Sequence, residues 1–293
     1  MTLRSWLFVP GDSAKKLGKA LATGADAIIV DLEDSVAPEH KEAARRQALE
    51  WLSATRRQLT EQRTIARWVR INDLDSRLWR DDLLAVMPGA PDGIMLPKAA
   101  GPDAVTQLAA ELYELEGHAQ VPAGSTRILP LVSETPAAAM TIARYIDASL
   151  PRLAGLTWGA EDLSAAIGAS RKREGGVWTD AFRFVRAQTL LTAHARGVMA
   201  IDTLHADFSD LAGLKAIAQA SYADGFTGML AIHPAQVPVI NAAFTPGAAE
   251  LAEARAIVEA FADNPGAGTL QIDRRMIDQP HLKLARRMLG IEE

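Results

Sequence analysis

The sequence predicts an α/β fold: a closed parallel (β/α)8 TIM barrel followed by a C-terminal helical extension. Three observations carry that prediction. Short apolar segments alternate with helix-like ones almost from the first residue. The short segments are apolar throughout rather than half polar, as in strands covered on both faces. No Gly-x-Gly-x-x-Gly fingerprint follows any of them, which disfavours an open doubly wound sheet. The barrel is assigned to residues 1–245 and the extension to residues 246–293.

The elements follow in order. Residues 6–9 form a short strand stopped by Pro10-Gly11, and Asp12 or Ser13 caps a helix to about residue 23. Residues 27–30 form the second strand, ending in Asp31-Leu32-Glu33-Asp34. A long amphipathic helix over 38–55 carries Pro38 near its start, where a missing N–H is harmless. The third strand, 68–71, ends Arg70-Ile71-Asn72-Asp73 and precedes a short helix over 79–87. The fourth, 93–96, leaves through Pro97-Lys98, and Pro102 opens a helix to about residue 116. The fifth, 128–132, stops abruptly before Glu134. Thr135-Pro136 then supplies an N-cap and a first-turn proline for a helix to about residue 149. The sixth, Leu156-Thr157-Trp158-Gly159, is followed by Glu161 and Asp162. A polar, glycine-containing loop over 169–176 leads to a helix over 180–196 and to the seventh strand, 198–201, ending at Asp202. A helix over 210–223 precedes the eighth strand, 229–232, which ends His233-Pro234. The extension comprises a helix over 246–262, a loop over 263–268, the segment 269–278 and a terminal helix over 280–289.

The 293 residues suffice for one large core or two modest ones. A net charge of −5 and a pI near 5.7 argue against nucleic acid as a partner, since no basic face is implied. The absence of cysteine removes disulfides, zinc-thiolate sites and cysteine nucleophiles together. No apolar run approaches the ~20 residues that span a bilayer, and the N-terminal apolar run is too short for a signal-peptide core. The expectation is a cytoplasmic protein with no membrane partner.

In such a barrel, reactive side chains gather at the C-terminal strand ends. Those ends hold Asp31, Glu33, Asp34, Arg70, Asn72, Lys98, Glu134, Glu161, Asp162, Asp202 and His233. Together they make a mixed acidic and basic cup suited to a metal ion and an anionic substrate. Glu134 and the Glu161-Asp162 pair, at the mouths of successive strands, suggest a divalent cation with positions open for substrate. Taken singly, each is equally well read as a cap of the helix that follows. Arg70, set between Val69 and Ile71, either grips substrate oxygens or stands in a structural ion pair with Asp31 or Glu33. Lys98 is read as a partner of neighbouring carboxylates rather than a Schiff-base nucleophile, and His233 as a general base or a structural residue. The run from Asp31 to Asp34 is read as ordering Arg70 and water around the metal.

These segments resemble the citrate lyase β-subunit-like group of the HpcH/HpaI aldolase superfamily, in order and over nearly the whole chain. The matching pieces are Phe8-Val9-Pro10-Gly11, the run from Asp26 to Asp34 with Lys41 and Ala44-Arg45, Val69-Arg70-Ile71-Asn72, Leu96-Pro97-Lys98, Glu134-Thr135, Gly159-Ala160-Glu161-Asp162-Leu163, Ala200-Ile201-Asp202, Gly225-Phe226 and the run from Ile232 to Gln236. The resemblance implies a (β/α)8 barrel, Mg2+ bound by Glu134 and Asp162, a catalytic role for Arg70 with Asp31 and Glu33, and substrate oxygens held by Arg70, Glu134 and Lys98. It also implies chemistry at a carbon–carbon bond beside a thioester carbonyl, usually in a CoA ester. The segment from Met276 to Pro280 is similar to one that supplies a catalytic Asp to a neighbouring subunit. This assigns that role to Asp278 and implies a homotrimer or a multiple of it, with an acyl-carrier subunit as a further candidate partner. One departure is Met229, where the family often has Lys, so a contact to CoA phosphates is lost unless the loop from Ser170 to Gly176 replaces it.

The expected activity is a Mg2+-dependent lyase or synthase acting on a small 3-hydroxyacyl-CoA thioester such as citryl-CoA, malyl-CoA or citramalyl-CoA, through an acetyl-CoA-type enolate. A class II aldolase acting on free 2-keto-4-hydroxy acids is the nearest rival, and the tail bearing Asp278 argues against it. A non-catalytic subunit of a lyase complex is another, opposed by the set Arg70, Glu134 and Asp162. A phosphoenolpyruvate-mutase-type enzyme is disfavoured by the absence of cysteine.

Overall fold

The computed structural model describes residues 3–58 and 65–291. Its strands are β1 (Ser5–Pro10), β2 (Ala27–Asp31), β3 (Ala66–Arg70), β4 (Gly93–Leu96), β5 (Arg127–Pro130), β6 (Gly155–Thr157), β7 (Arg173–Glu174), β8 (Val177–Trp178), β9 (Met199–Asp202), β10 (Gly228–Ala231), β11 (Thr269–Ile272) and β12 (Arg275–Asp278). The helices are α1 (Ala14–Ala20), α2 (Lys41–Gln58), α3 (Trp79–Val86), α4 (Pro102–His118), α5 (Pro136–Ala139), α6 (Ala160–Ile167), α7 (Asp180–Ala195), α8 (Leu211–Asp224), α9 (Gln236–Ala243), α10 (Ala248–Asp263) and α11 (Gln279–Leu289). The chain forms two compact units, Met1–Phe244 and Thr245–Glu293.

In the first unit, eight parallel strands run in the order β5-β4-β3-β2-β1-β10-β9-β6. Parallel bridges from Ile128 to Leu153 and from Leu131 to Thr157 join the two ends of that order. This is the predicted (β/α)8 barrel. The strands are apolar on both sides because both sides are buried. Trp6, Ala27, Ile29, Trp68, Met95, Leu129, Ile201 and Leu230 fill the interior. The alternate residues, among them Leu7, Ile28, Val30, Val69 and Ile94, pack in the core beneath the helices.

Two indoles fill the N-terminal end of the barrel, Trp6 and Trp68, edge to face with centroids 5.1 Å apart. Glycines make room for them. A Cβ on Gly93 would lie 2.3 Å from the Trp68 ring, and one on Gly228 would lie 2.5 Å from the Leu3 carbonyl. At the other end the inward series turns polar: Ala27, Ile29 and Asp31 along β2, Ala66, Trp68 and Arg70 along β3. Asp31 stands directly opposite Arg70 in the parallel register.

Strand positions match the sequence reading to within a residue or two; the helices differ more. The helix after Glu134 ends at Ala139 and gives way to a 3-10 turn, Ile142–Tyr145, because the Thr141 hydroxyl donates to the Ala138 carbonyl (2.8 Å) and competes with the helical ladder. The polar loop contains an antiparallel hairpin, β7–β8, which turns on Gly175 and Gly176 at φ 56° and 83°. The eighth barrel helix, α9, to which the sequence reading gave no bounds, carries Pro238 in its first turn, where the ring does no harm.

The second unit packs α10, α11 and the hairpin β11–β12 around Ala254, Ile257, Phe261, Ile277, Leu282 and Ala285. The extension is therefore not purely helical, and its hairpin turns on Asp273 and Arg274, both at positive φ. No helix of the described residues is long and apolar enough to cross a membrane.

Candidate active site

Two groups of carboxylates stand at the polar end of the barrel, and their surroundings differ. The first is Asp31 and Glu33. The Arg70 guanidinium donates to both Asp31 oxygens (2.7 Å each) and pairs with Glu33 Oε2 at 2.9 Å. Register explains this fork, since neighbours in a parallel pair project to the same side of the sheet. The guanidinium also lies 4.8 Å from the centroid of the Phe8 ring. Lys98 Nζ pairs with Glu33 Oε1 and, at 3.8 Å, with Asp34. Burial pushes the Asp31 carboxyl up, but the charge and hydrogen bonds of Arg70 outweigh it and hold the group below its ordinary value. Burial dominates at Glu33 and raises it despite Arg70 and Lys98. Both cations are held charged, since the neighbouring carboxylates outweigh their desolvation. Arg70 thus forms the structural ion pair that the sequence offered as one of its two roles, while also facing the cavity described below.

The second group is Glu134 with Asp162. Glu134 is buried, and its Oε2 accepts the Lys98 backbone N–H at 2.6 Å. Lys98 adopts φ 49°, a left-handed conformation that L side chains adopt at a cost. Burial, then the charges of Asp162 and Glu33, push the Glu134 carboxyl up to about 8, against the pull of Lys98 N–H and Arg70. Thr135 caps α5 as expected, accepting from Ala138 N–H at 3.1 Å. Glu134 itself caps nothing, so the capping reading of this carboxylate fails. Gly159 leaves it room: a Cβ there would come within 2.9 Å of Glu134 Cγ and 3.1 Å of Oε1. Asp162 follows in the first turn of α6.

A cavity of about 190 Å³ lies between the groups. Asp31, Arg70, Glu134, Glu161 and Asp162 line it on its polar sides, and Phe8, Leu131, Trp158, Leu204, Leu230 and Ile232 on its apolar ones. The sequence reading missed the apolar wall, although Phe8 could have been found by its inward parity along β1. Among the described residues no third His, Asp or Glu completes a cluster with Glu134 and Asp162.

Several rim residues do other work. Asp202 is buried and accepts from Trp158 Nε1 (2.7 Å), Arg186 Nη2 (2.8 Å), Ser221 Oγ (2.6 Å) and Thr203 N–H (2.9 Å). It is a structural hub. His233 accepts from the Ala235 N–H and stacks on Phe208 with centroids 5.0 Å apart, outside the cavity. Asn72 belongs to a buried network behind β2 and β3. The basic loop is engaged too: Lys172 with Glu161, Arg171 with Glu174, and Arg173 over the Trp178 ring. Met229 packs in the layer between sheet and helices, one residue out of phase with the inward Leu230. Its departure from Lys therefore removes no charge from the rim. In the second unit, Asp278 precedes α11, and the His281 imidazole bonds to its carboxylate and lowers its pKa.

Comparison with known proteins bears out the fold. The family model described as HpcH/HpaI aldolase/citrate lyase matches residues 4–234. The citrate lyase subunit beta-like protein of Mycobacterium tuberculosis is 36% identical over 285 residues, covering 97% of this chain and 93% of that protein. The L-malyl-CoA/beta-methylmalyl-CoA lyase of Cereibacter sphaeroides is 32% identical, covering 96% and 92%. A crystal structure of CitE from M. tuberculosis in complex with magnesium, acetoacetate and coenzyme A superposes with a TM-score of 0.78 at 34% identity, covering 99% of this chain and 98% of that one. The chain belongs to the HpcH/HpaI aldolase/citrate lyase family.

Proposed function

We propose that this protein is a Mg2+-dependent carbon–carbon lyase that cleaves, or in reverse forms, a small 3-hydroxyacyl-CoA thioester of the malyl-, citramalyl- or citryl-CoA type. The observation that carries the reading is Glu134: a buried carboxylate pushed up to about 8 by its burial and by Asp162, beside a cavity of acyl-chain size. A divalent cation bound there would offset the burial and mutual repulsion of such a pair. Two hard oxygen donors suit Mg2+, which keeps positions for water or substrate. The CitE complex with magnesium, acetoacetate and coenzyme A supports the same reading. When bound, Mg2+ would supply Lewis acidity at the substrate's hydroxyl or keto oxygen and the adjacent carboxylate.

The chain's own residues supply the rest. In cleavage, the hydroxyl proton passes to solvent, the carbon–carbon bond breaks to a carbonyl acid and a thioester enolate, and a proton drawn from solvent returns to the enolate carbon. Arg70 faces the reacting oxygens and stabilises charge developing there, pre-aimed by its bonds to Asp31 and Glu33. Lys98 acts by position: its N–H fixes Glu134 and its Nζ holds Glu33, so a Schiff base is not its task. The Leu131, Leu204 and Leu230 wall excludes water from the enolate. Asp278, presented by a neighbouring copy in a homotrimer or a multiple of it, exchanges that proton between solvent and the enolate carbon. The rest of CoA is far larger than the cavity and lies outside it.

The test is thioester cleavage of malyl-CoA, citramalyl-CoA and citryl-CoA by the purified protein with Mg2+, with EDTA, and with Glu134→Ala. Cleavage of one ester, lost in both controls, is the expected result. Cleavage only of a free 4-hydroxy-2-keto acid would establish the aldolase instead, and no turnover of any compound would favour a non-catalytic subunit. Mixing Asp278→Asn with Arg70→Lys protein tests the shared site: activity returns if the two residues meet across an interface, and a fully active monomer would overturn that part.

A further inference from the structure

We infer that Lys41 is a positioning residue for this reaction: through a buried hydrogen-bonded relay it fixes the Leu32–Glu33 backbone and, with it, the aim of Arg70. The inference rests on the reading of Arg70 as the residue that faces the substrate oxygens.

Lys41 opens α2 and is almost fully buried. An ammonium has three N–H donors, and here each finds an acceptor: the Leu32 carbonyl at 2.7 Å, the Glu33 carbonyl at 2.7 Å and Asn72 Oδ1 at 2.8 Å. Asn72 extends the relay. Its Nδ2 donates to Leu32 O (3.0 Å) and Asp82 Oδ2 (2.7 Å), and its backbone N–H donates to that same Asp82 oxygen at 2.8 Å. Asp82 is fully buried on α3, and its other oxygen accepts from Arg45 Nε at 2.8 Å. The relay therefore joins α2 and α3 to the exits of β2 and β3, the two strands that carry Asp31 and Arg70.

Lys41 does not line the cavity and touches no group proposed to meet substrate through its side chain. What it touches is the turn that anchors Arg70. Asp31 Oδ1 accepts both Arg70 Nε and the Glu33 N–H (3.0 Å), and Asp31 Oδ2 accepts Arg70 Nη2 and the Ser35 N–H (3.2 Å). The turn is thus held by Asp31 from the front and by Lys41 from behind. Burying an ammonium here is costly, and apolar residues of similar volume would hold the helix as well. What they would not do is set the direction of two successive carbonyls, and hence the position of the Glu33 carboxylate that pairs with Arg70.

The test uses Lys41→Met and Asp82→Asn, each alone and in an Arg70→Lys background, in the full-length protein. Three quantities are read: cleavage of the ester that the wild type accepts, Mg2+ affinity by calorimetry, and solvent exchange of the Arg70 Nε–H by NMR. A loosened Arg70 predicts that kcat falls about tenfold or more while KM moves less than about threefold. Mg2+ affinity should stay unchanged and Arg70 Nε–H exchange should quicken. In the Arg70→Lys background neither substitution should cost more, because the fork it aimed is gone. Equal losses in both backgrounds would show an independent structural role and overturn the inference, as would an unchanged kcat in the folded variant. If Lys41→Met does not fold, Asp82→Asn at the far end of the relay carries the same comparison. If the wild type cleaves none of the esters, the lyase reading falls by itself and the exchange of Arg70 Nε–H decides here: no change in either variant overturns the inference.

Discussion

The two carboxylate pairs on the barrel rim look alike in the sequence and differ in what the protein does with their charge. Asp31 and Glu33 receive a guanidinium and an ammonium from the chain itself. Glu134 and Asp162 receive one backbone N–H at Glu134 and, among the described residues, no salt bridge. Asp202, saturated by Arg186 and Ser221, belongs with the first pair although its sequence context resembles that of Glu134. The lesson is that a functional carboxylate shows itself by the partner that the fold withholds. On the proposed reading, a fold that spends two cations on one pair and none on its neighbour keeps the neighbour for a cation from solution.

The sharpest way to break this contrast is Glu134→Gln, which keeps shape and removes charge. Cleavage should fall by more than about a thousandfold, and calorimetry should show Mg2+ affinity down by at least about a hundredfold. The metal-free variant should melt above the wild type, because a buried carboxylate without a cation has gone. Unchanged Mg2+ binding would erase the distinction between the pairs. Next in size is Arg70→Met, which strips the compensated pair. Urea unfolding should show a loss of about 3–5 kcal/mol, the cost of leaving buried charge unpaired, with turnover down about 10²–10³-fold. A smaller effect is expected of Gly159→Ala. Its backbone, at φ −114°, accepts alanine, but the new Cβ meets Glu134. Mg2+ affinity should therefore drop about tenfold with the melting temperature little changed, as when a group that orients a ligand is disturbed.

The smallest effect on turnover is expected of Glu116→Gln, a compensated carboxylate away from the site. Burial pushes Glu116 up, but Arg152 and the N–H groups of Gly124 and Thr126 outweigh it and hold the carboxyl at about 2, against an ordinary 4.5. A depressed pKa stabilises the fold above the unfolded value, and that gain is lost as pH falls from about 4.5 towards 2. Activity at neutral pH should not change. The urea midpoint of the variant should lie below that of the wild type at neutral pH and converge with it in acid, and parallel curves would show that Glu116 is not the titrating group.

The strands and their charged exits were legible in the sequence because an apolar run that ends in a carboxylate is a local signal. Glu134, Asp162, Arg70 and Asp31 give this signal, and all four line the cavity. Asp202 gave the same signal and proved structural, since its partners Arg186 and Ser221 lie on α7 and α8 and only the closed barrel brings them together. Lys41 and Asp82 could not be ranked for a similar reason: each stands on a helix, and the turn they serve is defined by tertiary packing. Met229 shows the sensitivity to parity, because a shift of one residue exchanges the barrel interior for the outer layer. The β7–β8 hairpin was hidden by its charges, which suggest solvent, whereas Trp178 packs on Trp158 and Phe182.

The edge-to-face indoles of Trp6 and Trp68 have a further consequence for turnover. They fill the N-terminal end of the barrel, so the doorway to the cavity lies at the C-terminal strand ends. On the proposed reading the acyl head enters first and the bulky thioester fills the doorway behind it. After the bond breaks, the carbonyl acid sits innermost, on the Glu134 and Asp162 side, and the thioester fragment blocks its way out. Departure is therefore sequential, thioester first and acid last, and in synthesis the order of arrival is the reverse.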